Sequence, residues 1–192
     1  MKNALIIFVR NPELGKVKTR LAAQIGNARA LEIYQKLLQH TKAAALHADC
    51  DKYVFATEQL TDNTWKDFTI EQQADGDLGK KMLHAFDHLF KKNYEKVVII
   101  GSDCPTLTTV IIKKAFYELN AKDVVIGPAE DGGYYLLGMK KLHSEIFKDK
   151  NWSSDLVLQE TLISINSLQL SSHQLETLTD VDEEKDLPLS WR

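Results

Sequence analysis

A chain of 192 residues with 44% hydrophobic content is long enough for one sizeable α/β core and short for two full domains. Its formal net charge of -3 lacks the basic excess of a general nucleic-acid binder. Its two distant cysteines, Cys50 and Cys104, offer neither a disulfide framework nor a zinc spacing, which fits a reducing, cytoplasmic setting.

Residues 4–9 form a continuous β-rich run that ends at Arg10-Asn11-Pro12, as expected of a central parallel strand entering a loop. The run is too short for a targeting sequence, and no apolar stretch approaches the ~20 residues of a membrane span. Asn27 is expected to cap a helix reaching about Ala45, with Leu31, Tyr34, Leu38 and Thr41 on one face. Residues 53–57 read as a second strand, Leu78, Met82, Phe86 and Leu89 mark the next helix, and residues 96–101 are the clearest strand of all. After Ser102-Asp103-Cys104-Pro105 comes a helix capped by Thr108 or Thr109 that presents Ile112, Phe116 and Leu119. Strands at 124–127 and 134–139 flank the turn-rich residues 128–133, and Ser153 or Ser154 is expected to cap a helix to about Ile165. A polar strand then precedes the acidic segment 180–187. Such alternation implies one α/β domain over residues 1–192, with a mainly parallel sheet covered by helices on both faces. Ligands of open sheets of this type bind beyond the carboxyl ends of the strands.

Three loops converge on that edge. The first, residues 10–21, follows the first strand and carries Arg10, Gly15, Lys16, Lys18 and Arg20, whose cations suit anionic phosphates. A solvated basic turn has the same composition, since the loop is neither a Walker A nor a GxGxxG sequence. The second brings Ser102 and Asp103 out of a buried hydrophobic strand. A carboxylate delivered this way suits a hard divalent cation such as Mg²⁺ or Mn²⁺, although a turn Asp accepting backbone N–H bonds also fits. The third holds Glu130 and Asp131 beside Gly132 and Gly133, where a carboxylate could receive a proton from an acceptor hydroxyl and the glycines let the backbone approach a ligand. An ordinary Asp-Gly hairpin explains the same residues.

Two further segments have weaker signals. Gln73, Gly76, Asp77 and Gly79 lie between a strand and a helix and could recognise a nucleobase, or simply cap the helix. Residues 180–187 could supply a second metal ligand, or form a solvated acidic helix start.

The stretches FVRNPELGKVKTRL at 8–21, QADGDLGKKM at 73–82, VVIIGSDCP at 97–105, GPAEDGGYYLLGM at 127–139 and LTDVDEEKDL at 178–187 together resemble one family. It comprises small bacterial GT-A-fold proteins of the arsenosugar-biosynthesis glycosyltransferase type, long known only as a domain of unknown function. The resemblance covers nearly the whole chain. It implies the nucleotide-diphospho-sugar transferase fold, a three-layer α/β/α sandwich. It also implies a divalent metal bound through Asp103, with Asp182 as the second ligand from an ending related to DVDTPEDL. Here Glu183-Glu184-Lys185 replaces Thr-Pro-Glu, and Arg10-Asn11 stands where the family often has Lys-Ala. The function implied is transfer of a sugar from a nucleotide-sugar donor to a small-molecule acceptor. The same scaffold also serves nucleotidyltransferases that release pyrophosphate, and a non-catalytic nucleotide-binding regulator is a third reading.

Overall fold

The computed structural model describes residues 2–60, 63–152 and 154–192. Seven strands, β1 (Asn3–Val9), β2 (Asp51–Ala56), β3 (Thr69–Gln72), β4 (Lys96–Ile100), β5 (Val124–Pro128), β6 (Tyr134–Met139) and β7 (Ser172–Gln174), form one sheet in the order β3-β2-β1-β4-β6-β5-β7. All neighbours are parallel except where β6 runs antiparallel to β4 and β5. From β1 the chain winds outward through β2 and β3, then crosses back to place β4 on the other side of β1. The strand order therefore reverses between β1 and β4, the point at which open α/β sheets leave a crevice beyond their carboxyl ends.

β1 and β4 are apolar at nearly every position because both of their faces are covered. Leu5, Ile7, Val9, Val98 and Ile100 enter one core with α2 (Asn27–Leu46) and α4 (Thr109–Glu118). Ala4, Ile6, Val97 and Ile99 enter the opposite core with α3 (Leu78–Lys91) and α5 (Val157–Ser167). The result is the expected three-layer sandwich. Each of these larger aliphatic side chains contributes about 1.5–3 kcal/mol by leaving water.

The structure departs from the expected elements at several places. Residues 19–21, read as the end of the first loop, instead open the short helix α1 (Thr19–Ile25), whose Leu21 packs with Ala30, Ile33 and Leu37 of α2. Helix α2 takes Gly26 as its N-cap, with φ +83, and Asn27 is its first helical residue and makes no capping bond. Leu78 is exposed, because α3 begins there and its buried stripe starts at Gly79 and Met82. α5 begins at Val157, later than expected; Ser154 Oγ accepts the Leu156 N–H in the turn before it, and Ser153 lies outside the described residues. Thr108 does cap α4, accepting the Ile111 N–H at 3.3 Å. Among the described residues no helix is long and apolar enough to cross a membrane.

Candidate functional site

A cleft of about 990 Å³ opens at the carboxyl edge of the sheet, over the point where the strand order reverses. β1 supplies the first wall. After Val9 the chain passes through a turn in which Lys16 N–H donates to the Glu13 carbonyl and Gly15 takes φ +75, the third-residue conformation of a type II turn. Lys16 pairs with Glu13 at 2.6 Å, so its charge is satisfied locally. Lys18 then adopts a left-handed backbone (φ 49), which reverses the chain into α1 and turns its side chain inward.

The Lys18 side chain is only 6% exposed, and its Nζ lies 2.8 Å from Asp103 Oδ1 and 3.6 Å from Asp182 Oδ1. Burial opposes its charge, but Asp103, and then Asp182 and Asp180, more than compensate and hold the ammonium above its ordinary range. Arg20 reaches Asp182 Oδ2 at 3.4 Å from a side chain that is 74% exposed, and it is correspondingly less constrained. Arg10 is exposed at the cleft, its backbone fixed by Tyr34, whose hydroxyl accepts the Arg10 N–H at 3.0 Å.

β4 brings Ser102 and Asp103 to the floor of the cleft; Ser102 is buried and Asp103 half-exposed. Cys104 is buried, desolvation raises its thiol, and it is packed against Thr106 at 3.6 Å, as befits a core residue rather than a nucleophile. The C-terminal segment completes the floor. After β7 it runs beside the end of β5, where Glu130 N–H donates to the Leu178 carbonyl, and then Val181 N–H donates to the Asp103 carbonyl at 2.9 Å. Val181 is fully buried with Leu21 and Ile33. In an extended segment alternate residues face opposite ways, so anchoring Val181 below presents Asp180 and Asp182 together to the cleft. Asp182 is the expected residue. Asp180 was not singled out from sequence, although its spacing of two from Asp182 carries the signal.

Asp180 stands out chemically. Its Oδ1 is buried and accepts no hydrogen bond among the described residues. Desolvation, reinforced by Asp103 and Asp131, raises its carboxyl to about 7, against the smaller opposing effect of Lys18. Beyond Asp180 the chain enters a 3-10 turn, Glu184–Asp186, in which Asp186 accepts the Asp182 and Glu183 N–H groups. This capped turn takes the place of the Thr-Pro-Glu ending.

The remaining expected residues divide. Asp131 lines the cleft while its Oδ1 accepts the Gly133 N–H at 2.9 Å, so the turn and the site use one side chain. Glu130 is exposed and does not line the cleft. Gln73 lines it, yet its amide donates to the Val9 and Phe55 carbonyls at 3.2 and 2.9 Å, tying β1 to β2. Asp77 caps α3 by accepting the Lys80 N–H, and Gly76 takes φ +111 just before it. Gly79 is buried within α3 and does not itself line the cleft. Trp152, Tyr134 and Lys81 also line it; Lys81 and Tyr134 fall within the stretches 73–82 and 127–139, whereas Trp152 lies in none of the motifs.

Residues 37–154 match the family described as an uncharacterized protein conserved in bacteria, DUF2064. The chain belongs to this family. A protein from Desulfovibrio desulfuricans G20, provisionally named a nucleotide-diphospho-sugar transferase, has a crystal structure similar to this one at TM-score 0.90. Its sequence identity is 32%, over 95% of this chain and 84% of that one. Two similarities of fold alone are with 4-diphosphocytidyl-2C-methyl-D-erythritol synthase from Anaerococcus prevotii and with Rv0371c from Mycobacterium tuberculosis H37Rv in complex with manganese. The first has TM-score 0.64 and 10% identity, over 96% of this chain and 94% of that one. The second has TM-score 0.56 and 10% identity, over 97% and 96%. Among curated proteins none matches the chain. As a member of DUF2064 the chain has the nucleotide-diphospho-sugar transferase-like fold that its motifs led us to expect.

Proposed function

We propose that the chain is a metal-assisted glycosyltransferase that moves a sugar from a nucleotide-diphosphate-sugar to the hydroxyl of a small-molecule acceptor. The observation that carries this reading is the buried Lys18 ammonium held between Asp103 and Asp182 where the strand order reverses. The provisional name of the 32%-identical relative supports it.

The charges lining the cleft favour a divalent cation. Six aspartates face four basic side chains there, so a donor diphosphate would meet net negative charge unless a cation accompanied it. Carboxylate oxygens are hard donors of the kind Mg²⁺ and Mn²⁺ take, and the unpartnered Asp180 Oδ1 has acceptor capacity to spare. No group of three or more His, Cys, Asp or Glu side chains among the described residues is arranged to hold an ion by itself. Asp103 and Asp182 would therefore hold it, with phosphate oxygens and waters filling the remaining positions. When bound, the metal would stabilise charge developing on the departing diphosphate.

The chain's own residues divide the remaining work. Lys18 and Arg20 would bind the donor phosphates, and Arg10, Ser102, Gly76 and Gln73 would border the nucleoside. The acceptor oxygen would form its bond to the anomeric carbon as the bond from that carbon to the phosphate oxygen breaks. That electron pair leaves on the nucleoside diphosphate. Asp131, whose second oxygen is not used by the Gly133 bond, would take the acceptor proton.

The test is a thermal-shift screen of nucleotides and nucleotide sugars with and without Mn²⁺, followed by product analysis. A ligand of the native state raises apparent stability by mass action, and free nucleoside diphosphate is the product expected. Pyrophosphate would instead show nucleotidyl transfer, and nucleotide binding with neither product would show a regulatory binder. Asp103→Ala is expected to abolish metal-dependent binding and Asp182→Ala to weaken it; metal-independent binding of full strength in Asp103→Ala would overturn the metal assignment.

A further inference from the structure

Lys18, Arg20 and Asp182 line the cleft, and so do the apolar and aromatic side chains of Leu78, Tyr134 and Trp152, which stand among the polar Asp77, Lys81, Asp131 and Asp155. The placement of Trp152 depends on two glycines. Gly79 is the second residue of α3, at a backbone conformation open to alanine. A Cβ there would come within 2.5 Å of the Trp152 indole, so the missing side chain is what lets the ring lie against the helix. Gly132 secures the other end of the same segment. It takes φ +87, a Cβ on it would collide with the Asp155 carbonyl, and its own carbonyl accepts the Leu158 N–H at 2.9 Å. Gly79 of α3 thus makes room for the Trp152 ring and Gly132 of the β5–β6 turn for the Asp155 backbone, and the partly exposed ring lines the cleft within the same opening as Asp131.

A large, flat, half-exposed aromatic surface beside a polar group is what binds the apolar face of a ring while leaving its hydroxyls free. We infer that Trp152 is the platform of the acceptor subsite and that the acceptor is a hydroxylated molecule with a flat apolar face, positioned there with a hydroxyl toward Asp131. This inference rests on the glycosyl-transfer reading for the word acceptor. The platform itself does not, because ring binding can be measured without turnover.

The experiment uses saturation-transfer NMR on the full chain with methyl β-D-glucopyranoside, benzyl alcohol, phenyl β-D-glucopyranoside and glycerol as probes. Trp152→Ala removes the platform and Trp152→Phe keeps a smaller one. Gly79→Ala displaces the indole without removing it, and a thermal melt of each variant checks that the fold is retained. Ring-bearing probes are expected to give saturation in the native chain and in Trp152→Phe, with at least a fivefold loss in Trp152→Ala and Gly79→Ala, while glycerol gives none. The methyl glucoside and benzyl alcohol arms tell a sugar face from an aromatic one. In parallel, affinity for the nucleotide chosen by the thermal-shift screen is expected to change less than twofold in the variants. Equal saturation in native and Trp152→Ala protein, no saturation by any ring probe, or a matching loss of nucleotide affinity would overturn the platform. Failure of every nucleotide sugar to react would remove the glycosyl-transfer reading while leaving the ring-binding result intact.

Discussion

Lys18 and Asp103, carried by the loops that follow β1 and β4, meet at 2.8 Å over the place where the sheet reverses its strand order. The pair joins the two neighbouring strands of the crevice through their loops, and Asp182 from the end of the chain closes the group at 3.6 Å. Lys18 is far more shielded than Arg20, whose solvent-facing pair with the same Asp182 belongs to a class that stabilises by only about 0–1 kcal/mol.

Removing that cation separates Lys18 from Arg20. Lys18→Asn is the informative change, because asparagine tolerates the left-handed backbone that residue 18 adopts. Loss of a charged hydrogen bond of about 1.5–3 kcal/mol predicts roughly ten- to a hundredfold weaker nucleotide binding by calorimetric titration. Arg20→Gln, at a side chain 74% exposed, is expected to cost less than about threefold. Equal effects of the two substitutions would mean that burial of Lys18 confers no special role.

Gly132→Ala tests how the β5–β6 turn is held. The residue combines a positive φ of +87 with a backbone carbonyl where a methyl group would sit, and each alone disfavours alanine. Thermal unfolding is expected to show a loss of more than about 1 kcal/mol, which for a chain of this size lowers Tm by roughly 2–4 °C or more. A neutral result would show that the segment at 155–158 yields without cost.

The sheet was legible in the sequence because its central strands are covered on both faces, so that Leu5–Val9 and Val97–Ile100 had to be unbroken apolar runs. The placement of Asp103 was legible for the same reason, as the first carboxylate after such a run. What escaped depends on contacts between distant parts of the chain. Helix α1 is only seven residues long, has no side-chain cap, and exists because Lys18 turns the backbone and Leu21 finds α2. Trp152 packs beside the cleft where Gly79 makes room for its ring, and no local pattern at 152 announces that. Asp180 is drawn into the site by Val181, whose burial is a tertiary fact; the acidic run around it reads locally as a solvated helix start. Gln73 and Asp77 show the converse, since their positions beside the cleft were expected while their polar atoms prove to be engaged in holding β1, β2 and α3.

Asp131→Asn distinguishes a base from a turn residue. The asparagine side-chain oxygen can still accept the Gly133 N–H that Asp131 Oδ1 accepts at 2.9 Å, so the turn is expected to survive and Tm to change little. A base lost from proton transfer lowers turnover by about 10²–10⁴-fold, with nucleotide affinity unchanged. Full turnover of the variant would reduce Asp131 to its structural bond.

The last expectation concerns Asp180 and pH in chelator-treated protein. Its carboxyl rises to about 7 in the folded chain, whereas an unfolded aspartate titrates near ~3.9. Between those values the folded state holds a proton that the unfolded state has released, so folding takes up a proton and the contribution of Asp180 to stability falls as pH rises. The penalty is absent below about pH 4 and complete above about pH 7. Asp180→Asn keeps the shape of the protonated acid and removes the charge. Its Tm is therefore expected to lie several degrees above the native value at pH 8 and to converge on it near pH 4, at roughly 2–4 °C per kcal/mol. Such a gain would mean that the native chain keeps a destabilising carboxylate at the floor of its cleft, as sites selected for function rather than stability do. A variant that is less stable than the native protein at pH 8, or one whose stability difference is the same at both pH values, would show that Asp180 is satisfied in solution and carries no such strain.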